Sequence, residues 1–522
     1  MPQQPPPRGS RRGLVIGVIG VAVVGLVVGT GIFAWAKLSG GGPQPADAIP
    51  SDAMAYVRLD LDPSAEQKLN AMSLLNKWPE FEEATGISDD EVDLRKLFVE
   101  RVVGPGECGL DYASDIEPWI GDRLGFAIVD GKEPTPMLAV QVSDEDKAED
   151  GASKISECVG GLGFSASTSA STIDPVSYEG EDGSDDEGAN LGIAFSGDYM
   201  IVAPSQEHAD DLAEDAESDS LASNNKFTSD MDALGDEGIA SVWFDPKSFV
   251  DSAEEMGIPP EEVEALDDLG IGSAATALRA GDDYLELVAS IDADIGATGA
   301  KADVGQLPES TMVAASISDG KSLVDDMWQQ MESSMGMMGP DLQYMLSDIE
   351  STTGLSLPDD IATLFGDQML LGVGSEGLAP DAEPSSLADF NVGIRLTSDP
   401  AELKSVVDKL TTSLGAAAGP EAVDQLYTQD TDDGMVIATN EDYASTLTDG
   451  GGGLGGSDAY KKAVPAGDDA VNVVYANLDK ISSIASEDDP GTAAVLEPVE
   501  AFGFSTHVES DRTIATARLT FN

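Results

Sequence analysis

Between Leu14 and Ala36 the chain carries no charged residue, and Lys37 ends the run. At about 1.5 Å of rise per residue, a helix of that length spans roughly 34 Å, enough to cross a hydrocarbon core of about 30 Å with some tilt. Gly17, Gly20, Gly25, Gly29 and Gly31 would weaken a helix in water, but they are common in membrane spans, where small residues let helices approach. Trp35 suits an interfacial anchor. Arg8, Arg11 and Arg12 precede the run and the chain beyond Lys37 is overwhelmingly acidic. The positive-inside rule therefore predicts a cytoplasmic tail over 1–13, a transmembrane helix over 14–36 and everything after it outside the cytoplasm. Two other readings of the segment stand beside this one: Ala34-Trp35-Ala36 as a cleavage site, and Ser10-Arg11-Arg12 as part of a twin-arginine signal. The run is longer than the roughly 7–15 residues of a secretory signal core, and either alternative still exports the bulk of the chain.

Charge narrows the partners. The formal net charge is −70, from 27 basic and 97 acidic residues, and the first 46 residues hold four basic groups and no acid. Phosphate backbones need basic surfaces, so no nucleic-acid partner is expected. With 41% hydrophobic residues the chain has the means to build a core, and its acids read as a solvated surface whose self-repulsion salt would screen. The acid-rich stretch Glu179 to Gly188 has no EF-hand register, and a solvated loop is the competing reading. Cys108 and Cys158 are the two cysteines. In an oxidising compartment they are a possible disulfide, and two separate buried thiols are the alternative.

After a Gly/Pro-rich linker over 37–47, the folded part is written twice, in an expected first half over 48–300 and a second over 301–522. The stretch from Ile49 (IPSDAMAYVRLDLD) is echoed from Leu307 (LPESTMVAASISDG). The stretch from Gly121 is echoed from Gly366, Met137 from Phe390, Gly197 from Asp433, Asp236 from Asp468, and Gly270 from Gly503. All six pairs keep their order, and the offset drifts only from 258 to 232. A period that long is a domain duplication, too long for a solenoid repeat. Alternating apolar runs predict strands, and Asp62-Pro63, Asp245-Pro246 and Asp399-Pro400 predict helix starts, with an N-cap carboxylate before a proline at the first helical position. The resulting expectation is an α+β fold: an N-terminal transmembrane helix, then two similar, duplicated domains of mostly antiparallel sheet with packed helices.

Catalytic patterns are sparse. His208 and His507, the only histidines, stand in unrelated contexts, which argues against a zinc site or a histidine-based triad. Ser223 to Lys226 spells S-x-x-K but reads as loop, and the glycines from Gly450 to Gly456 lack the strand-turn-helix setting of a phosphate loop. No cofactor is expected. Met327, Met331 and Met335 recur every four residues, with Trp328 and Met338 beside them. Such a helix could line an adaptable apolar groove for a lipid or a protein, or hold Cu(I) through its thioethers, or simply pack its apolar face on a sheet.

The opening of the folded part from Ala46 (ADAIPSDAMAYVRLDLDPSAEQK), with the Pro-rich tail, the single span and SLASNNKF from Ser220, resembles an actinobacterial family of membrane-anchored ectodomains, domain of unknown function 3352. The resemblance implies a cell-envelope protein and transfers no catalytic or binding residue. The expected function is a non-enzymatic, single-pass, membrane-anchored extracytoplasmic protein that binds an apolar, lipid-like ligand or an envelope protein partner. A structural or sensory envelope component without a small-molecule ligand is the alternative, and a hydrolase a further one.

Overall fold

The computed structural model describes residues 43–61, isolated positions between 70 and 99, and 111–131, 134–158, 164–166, 191–253, 272–293, 299–338, 340–378, 386–418, 425–485, 496–509 and 512–522. The expected span over 14–36, Cys108, the side chain of Cys158, the acid-rich stretch 179–188 and the Asp62-Pro63 cap lie outside the described residues. Among the described residues, no helix is long and apolar enough to cross a membrane. The fold is mixed helix and antiparallel sheet, divided into two compact units at Asp282 and Asp283.

In the first unit, β1 (Ala53–Asp60) lies between β2 (Ile120–Val129) and β7 (Ala240–Phe244). The sheet continues from β2 through β3 (Thr135–Val142), β6 (Tyr199–Ala203) and β5 (Leu191–Ser196) to β4 (Phe164–Ala166), and beyond β7 to β8 (Ala274–Gly281). Every pairing is antiparallel except β4 with β5. Helices α1 (Glu145–Cys158), α2 (Gln206–Ser218), α3 (Asn225–Leu234) and α4 (Pro246–Ser252) fill the connections. Three of them begin at side-chain caps: Ser205 accepts from the His208 amide, Asn224 from Lys226 and Phe227, and Asp245 from Lys247 and Ser248. Trp119, Leu124, Val140, Ala148, Ile193 and Met200 belong to one core. Phe227 meets both Tyr56 and Trp243 edge-on, and the Trp243 indole N–H donates to Asp230 at 2.6 Å inside the unit.

The second unit is ordered around β10 (Thr311–Ser318), which lies between β11 (Gln368–Gly374) and β15 (Asn472–Asn477). One side continues through β12 (Val392–Thr397) and β14 (Gly434–Ala438) to β13 (Tyr427–Thr431); the other runs through β16 (Val499–Glu509) and β17 (Arg512–Phe521) to β9 (Tyr284–Ile291). All these pairings are antiparallel. Because side chains alternate across a strand, Leu370 and Val436 join a core with Tyr443 and Leu447 of α9 (Glu441–Asp449) and Tyr460 of α10 (Asp458–Ala463), while Met435 and Leu396 join another with Leu403 and Val407 of α8 (Pro400–Ala418). Helix α5 (Gly320–Met338) packs with α6 (Pro340–Thr353) and α7 (Asp359–Phe365), α6 and α7 pack with α8, and α11 (Leu478–Ala485) packs near β10 and β16. The Asp399 carboxylate accepts from the amides of Ala401 and Glu402 at the start of α8, as the Asp-Pro pattern predicts.

Part of the stretch read as linker is structured. Pro45–Ala48 forms a 3-10 turn with Pro45, Ala46 and Ala48 buried. Apolar side chains in a Pro-rich stretch have no periodicity to mark them as core, so composition alone reads such a turn as spacer.

Candidate functional site

All five residues of the methionine-rich stretch fall on α5, and the three whose side chains are described, Met327, Trp328 and Met331, do not share one face. Val324 is buried and Trp328 and Met331 are half-buried, at the spacing that one side of a helix gives, while Met327 is 62% exposed next to exposed Leu323. The side chains of Met335 and Met338 lie outside the described residues. The following helix, α6, also presents apolar groups outward: Tyr344 is 74% exposed, Met345 52%, and Ile349 is exposed one turn further. Exposed apolar side chains on consecutive helices are a docking feature when they cluster. Asp326, Asp348 and Glu350 are exposed between them, so the apolar groups sit among carboxylates. Tyr344 and Ile349 were not in the methionine pattern; the apolar spacing in PDLQYMLSDI is the signal that could have found them.

The second unit also holds a cleft of about 640 Å³, lined by Asp303, Asp319, Asp367, Gln368, Arg395, Thr397, Thr431 and Asp433 among others. Arg395, on β12, pairs with Asp303 at 2.5 Å and donates to the Leu447 carbonyl at 3.2 Å. Gln368, on β11, donates to the Lys301 carbonyl at 3.0 Å. The carboxylates are dispersed: Asp319 accepts from Ser322 in the first turn of α5, and no group of three His, Cys, Asp or Glu converges to hold a metal ion among the described residues. A second cleft, between α6 and α8, is lined by Ser351, Thr352, Lys404, Asp408, Lys409 and Thr412 among others. Both are polar.

In the first unit the corresponding sheet register is filled with charge. Asp60 pairs with Arg123 across β1 and β2 at the same register step where Ser318 faces Gln368 across β10 and β11. The Arg58 guanidinium contacts Asp60 at 3.1 Å and Glu237 at 3.3 Å, and Arg123 contacts Asp60 at 3.4 Å. Arg58, Asp60 and Arg123 are all buried. Burial pushes the Tyr199 hydroxyl well above its ordinary pKa, and that hydroxyl donates to the Pro43 carbonyl at 2.9 Å.

The residues weighed for catalysis are separately occupied. The Ser223 hydroxyl bonds Asp219 and the Ser220 carbonyl, whereas Lys226 pairs with Asp245 at 2.8 Å. His208 bonds the Ser205 hydroxyl in the first turn of α2, and His507 lies on β16 of the other unit. The glycine run from Gly450 connects α9 to α10; a Cβ at Gly452 would stand 2.1 Å from the Leu307 carbonyl oxygen, so close backbone approach explains that glycine.

A two-unit protein of helix-covered antiparallel sheets, with polar clefts and outward apolar helix faces, is the class these observations define. The chain belongs to the family described as protein of unknown function DUF3352, whose profile matches residues 14–387. No curated protein matches it. Two crystal forms of a protein called TP0453 are similar at 9% identity and a TM-score of 0.22; the matches cover 48% and 50% of this chain and 80% and 82% of that one. A likeness that slight assigns neither fold nor function.

Proposed function

We propose that this chain is a non-enzymatic, membrane-tethered extracytoplasmic module that docks an envelope protein through the outward apolar faces of α5 and α6. The observation that carries the reading is the exposure of Met327 and Tyr344 on consecutive helices. The two clefts described in the second unit are lined mainly by polar and charged residue types, which favours a protein partner over an enclosed apolar ligand. Exposed Asp326, Asp348 and Glu350 favour a partner whose apolar surface has a basic rim. The separate occupation of Ser223 and Lys226 supports the non-enzymatic part. The charge-free run Leu14–Ala36 behind three arginines supports a single-pass anchor with a cytoplasmic N-terminus. Duplication is part of the proposal, and the shared strand order around β1 and β10 supports it.

Photo-crosslinking from position 327 or 344 of the full-length chain in native membranes tests the docking. A discrete protein adduct, abolished by Met345→Glu with Ile349→Glu and weakened by added salt, is the expected result. Adducts to lipid alone, or protein adducts indifferent to the double substitution, overturn it.

A further inference from the structure

The first described residues of the chain are held by buried polar and charged side chains of the first unit. Arg123 Nη1 and the Tyr199 hydroxyl both donate to the Pro43 carbonyl at 2.9 Å, and Arg58 Nε donates to the Gln44 side chain at 3.1 Å. The Gln44 amide donates to the Asp47 carboxylate at 2.7 Å and closes the 3-10 turn. Ile49 is fully buried, and its carbonyl accepts from the Leu221 amide at 2.7 Å. Pro45 lies on the sheet at Gly125, where a Cβ would come within 2.5 Å of the Pro45 Cβ. The same guanidiniums reach Asp60, Glu237 and the Gly238 carbonyl, so residues 43–48 are bonded into β1, β2, β6 and the approach to β7 at once.

We propose that Pro43–Ala48 is a strap that folds cooperatively with the first unit and so fixes the point at which the chain leading from the membrane anchor joins it. This rests on the tethered reading above. Lifting the strap would strip acceptors from two buried guanidiniums and a buried phenol, which is costly in a low-dielectric interior. The strap therefore leaves its seat only when the surrounding sheet opens. Residues 37–42 are all the chain between the apolar run and the strap, and six residues reach at most about 22 Å. The first unit is then held close over the bilayer, with Arg58 and Arg123 carrying any pull on the anchor directly into β1 and β2.

Hydrogen exchange on the full chain in lipid nanodiscs, across a urea series, tests the strap. Amides of residues 44–49 are expected to exchange with the same urea dependence as those of β1. Tyr199→Phe, which removes one hydroxyl, should speed the exchange of the strap and of β1 together, several-fold, and Gly125→Leu, which puts a side chain where Pro45 sits, should uncouple the two and release the strap by a hundredfold or more. Strap amides that exchange like an unfolded chain while β1 is protected overturn the proposal, even if Gly125→Leu fails to fold. Alkaline carbonate extraction separates the two readings: release of the chain from membranes sinks the tether and with it the coupling to the bilayer, whatever the strap amides show.

Discussion

The two units build the same central register from opposite chemistry. Around β1, Arg58, Asp60 and Arg123 are buried together; around β10, Ser316, Ser318 and Gln368 occupy the positions that the 258-residue offset and the strand pairings bring into correspondence. Even the incoming backbone is met at the same place, by Arg123 on the Pro43 carbonyl in one unit and by Gln368 on the Lys301 carbonyl in the other. One sheet position thus tolerates either an ion cluster or a neutral polar set, in which Ser318 and Gln368 are hydrogen-bonded. A buried carboxylate flanked by guanidiniums is satisfied only while every member is present, whereas hydroxyl and amide groups lose little when one is removed.

That difference sets the largest expected effect. Arg123→Ala should destabilise the first unit by about 3 kcal/mol, because it removes one of the two guanidiniums that neutralise the buried Asp60 carboxylate and the donor to the Pro43 carbonyl, whereas Gln368→Ala should cost the second unit about 1 kcal/mol. Site-resolved hydrogen exchange in β1 and β10 reads the two separately. Replacing the whole cluster, Arg58→Ser with Asp60→Ser and Arg123→Gln, installs the residues of the other unit and should recover much of the loss. Equal costs for the two single substitutions would show that the ion cluster is not what distinguishes the units.

Helix caps sharpen the comparison at a smaller scale. Asn224 starts α3 and Ser457 starts α10, in the stretches that lead to the paired rings Phe227 with Trp243 and Tyr460 with Tyr475. Asn224 also donates to the Ser51 carbonyl at 2.8 Å, a bond that Ser457 has no amide to match. Asn224→Ala is expected to cost about 2 kcal/mol and Ser457→Ala about 1 kcal/mol, read as denaturation midpoints. A larger loss for Ser457→Ala would mean that the cap, and not the added bond, dominates at both sites.

Much of this frame was legible in the sequence because it is local. The stretches from Ile49, Gly121, Met137 and Gly197 hold β1, β2, β3 and β6, and their echoes from Leu307, Gly366, Phe390 and Asp433 hold β10, β11, β12 and β14. The Asp-Pro pattern located the starts of α4 and α8. Strand order was not legible, since β7 reaches β1 across most of the unit and no local pattern encodes that pairing. Nor was the buried face of β1: in AMAYVRLD, alternation alone makes Val57 and Leu59 the core side, yet Tyr56, Arg58 and Asp60 are the buried set. Their counter-charges, Arg123 and Glu237, come from remote segments, and helices cover both faces of the sheet. The methionine spacing marks a helix, which α5 is, but not its orientation, because Val324 and Trp328 compete with Met327 for the inward side.

The smallest effect lies at the turn before β1. Partial burial first, and then repulsion from Asp215, Asp130 and Asp219, raise the Asp52 carboxyl above its ordinary pKa of 3.8, against a backbone hydrogen bond that lowers it. Ser310 stands at the corresponding place in the second unit. A raised folded-state pKa means that this group favours the fold fully only below about pH 3.8, and that its contribution is lost as pH rises through the folded value. At neutral pH the carboxylate is therefore a small burden. Asp52→Asn should stabilise the first unit by a few tenths of a kcal/mol at pH 7 in low salt, since an exposed charge is strongly screened. The gain should shrink in high salt and fade as pH falls below the ordinary carboxyl value of 3.8, where Asp52 is protonated in the folded and unfolded chain alike. A gain that persists unchanged at acid pH would assign the effect to the turn's backbone preferences instead of charge, and a loss at pH 7 would mean that the backbone hydrogen bond to Asp52 outweighs the repulsion around it.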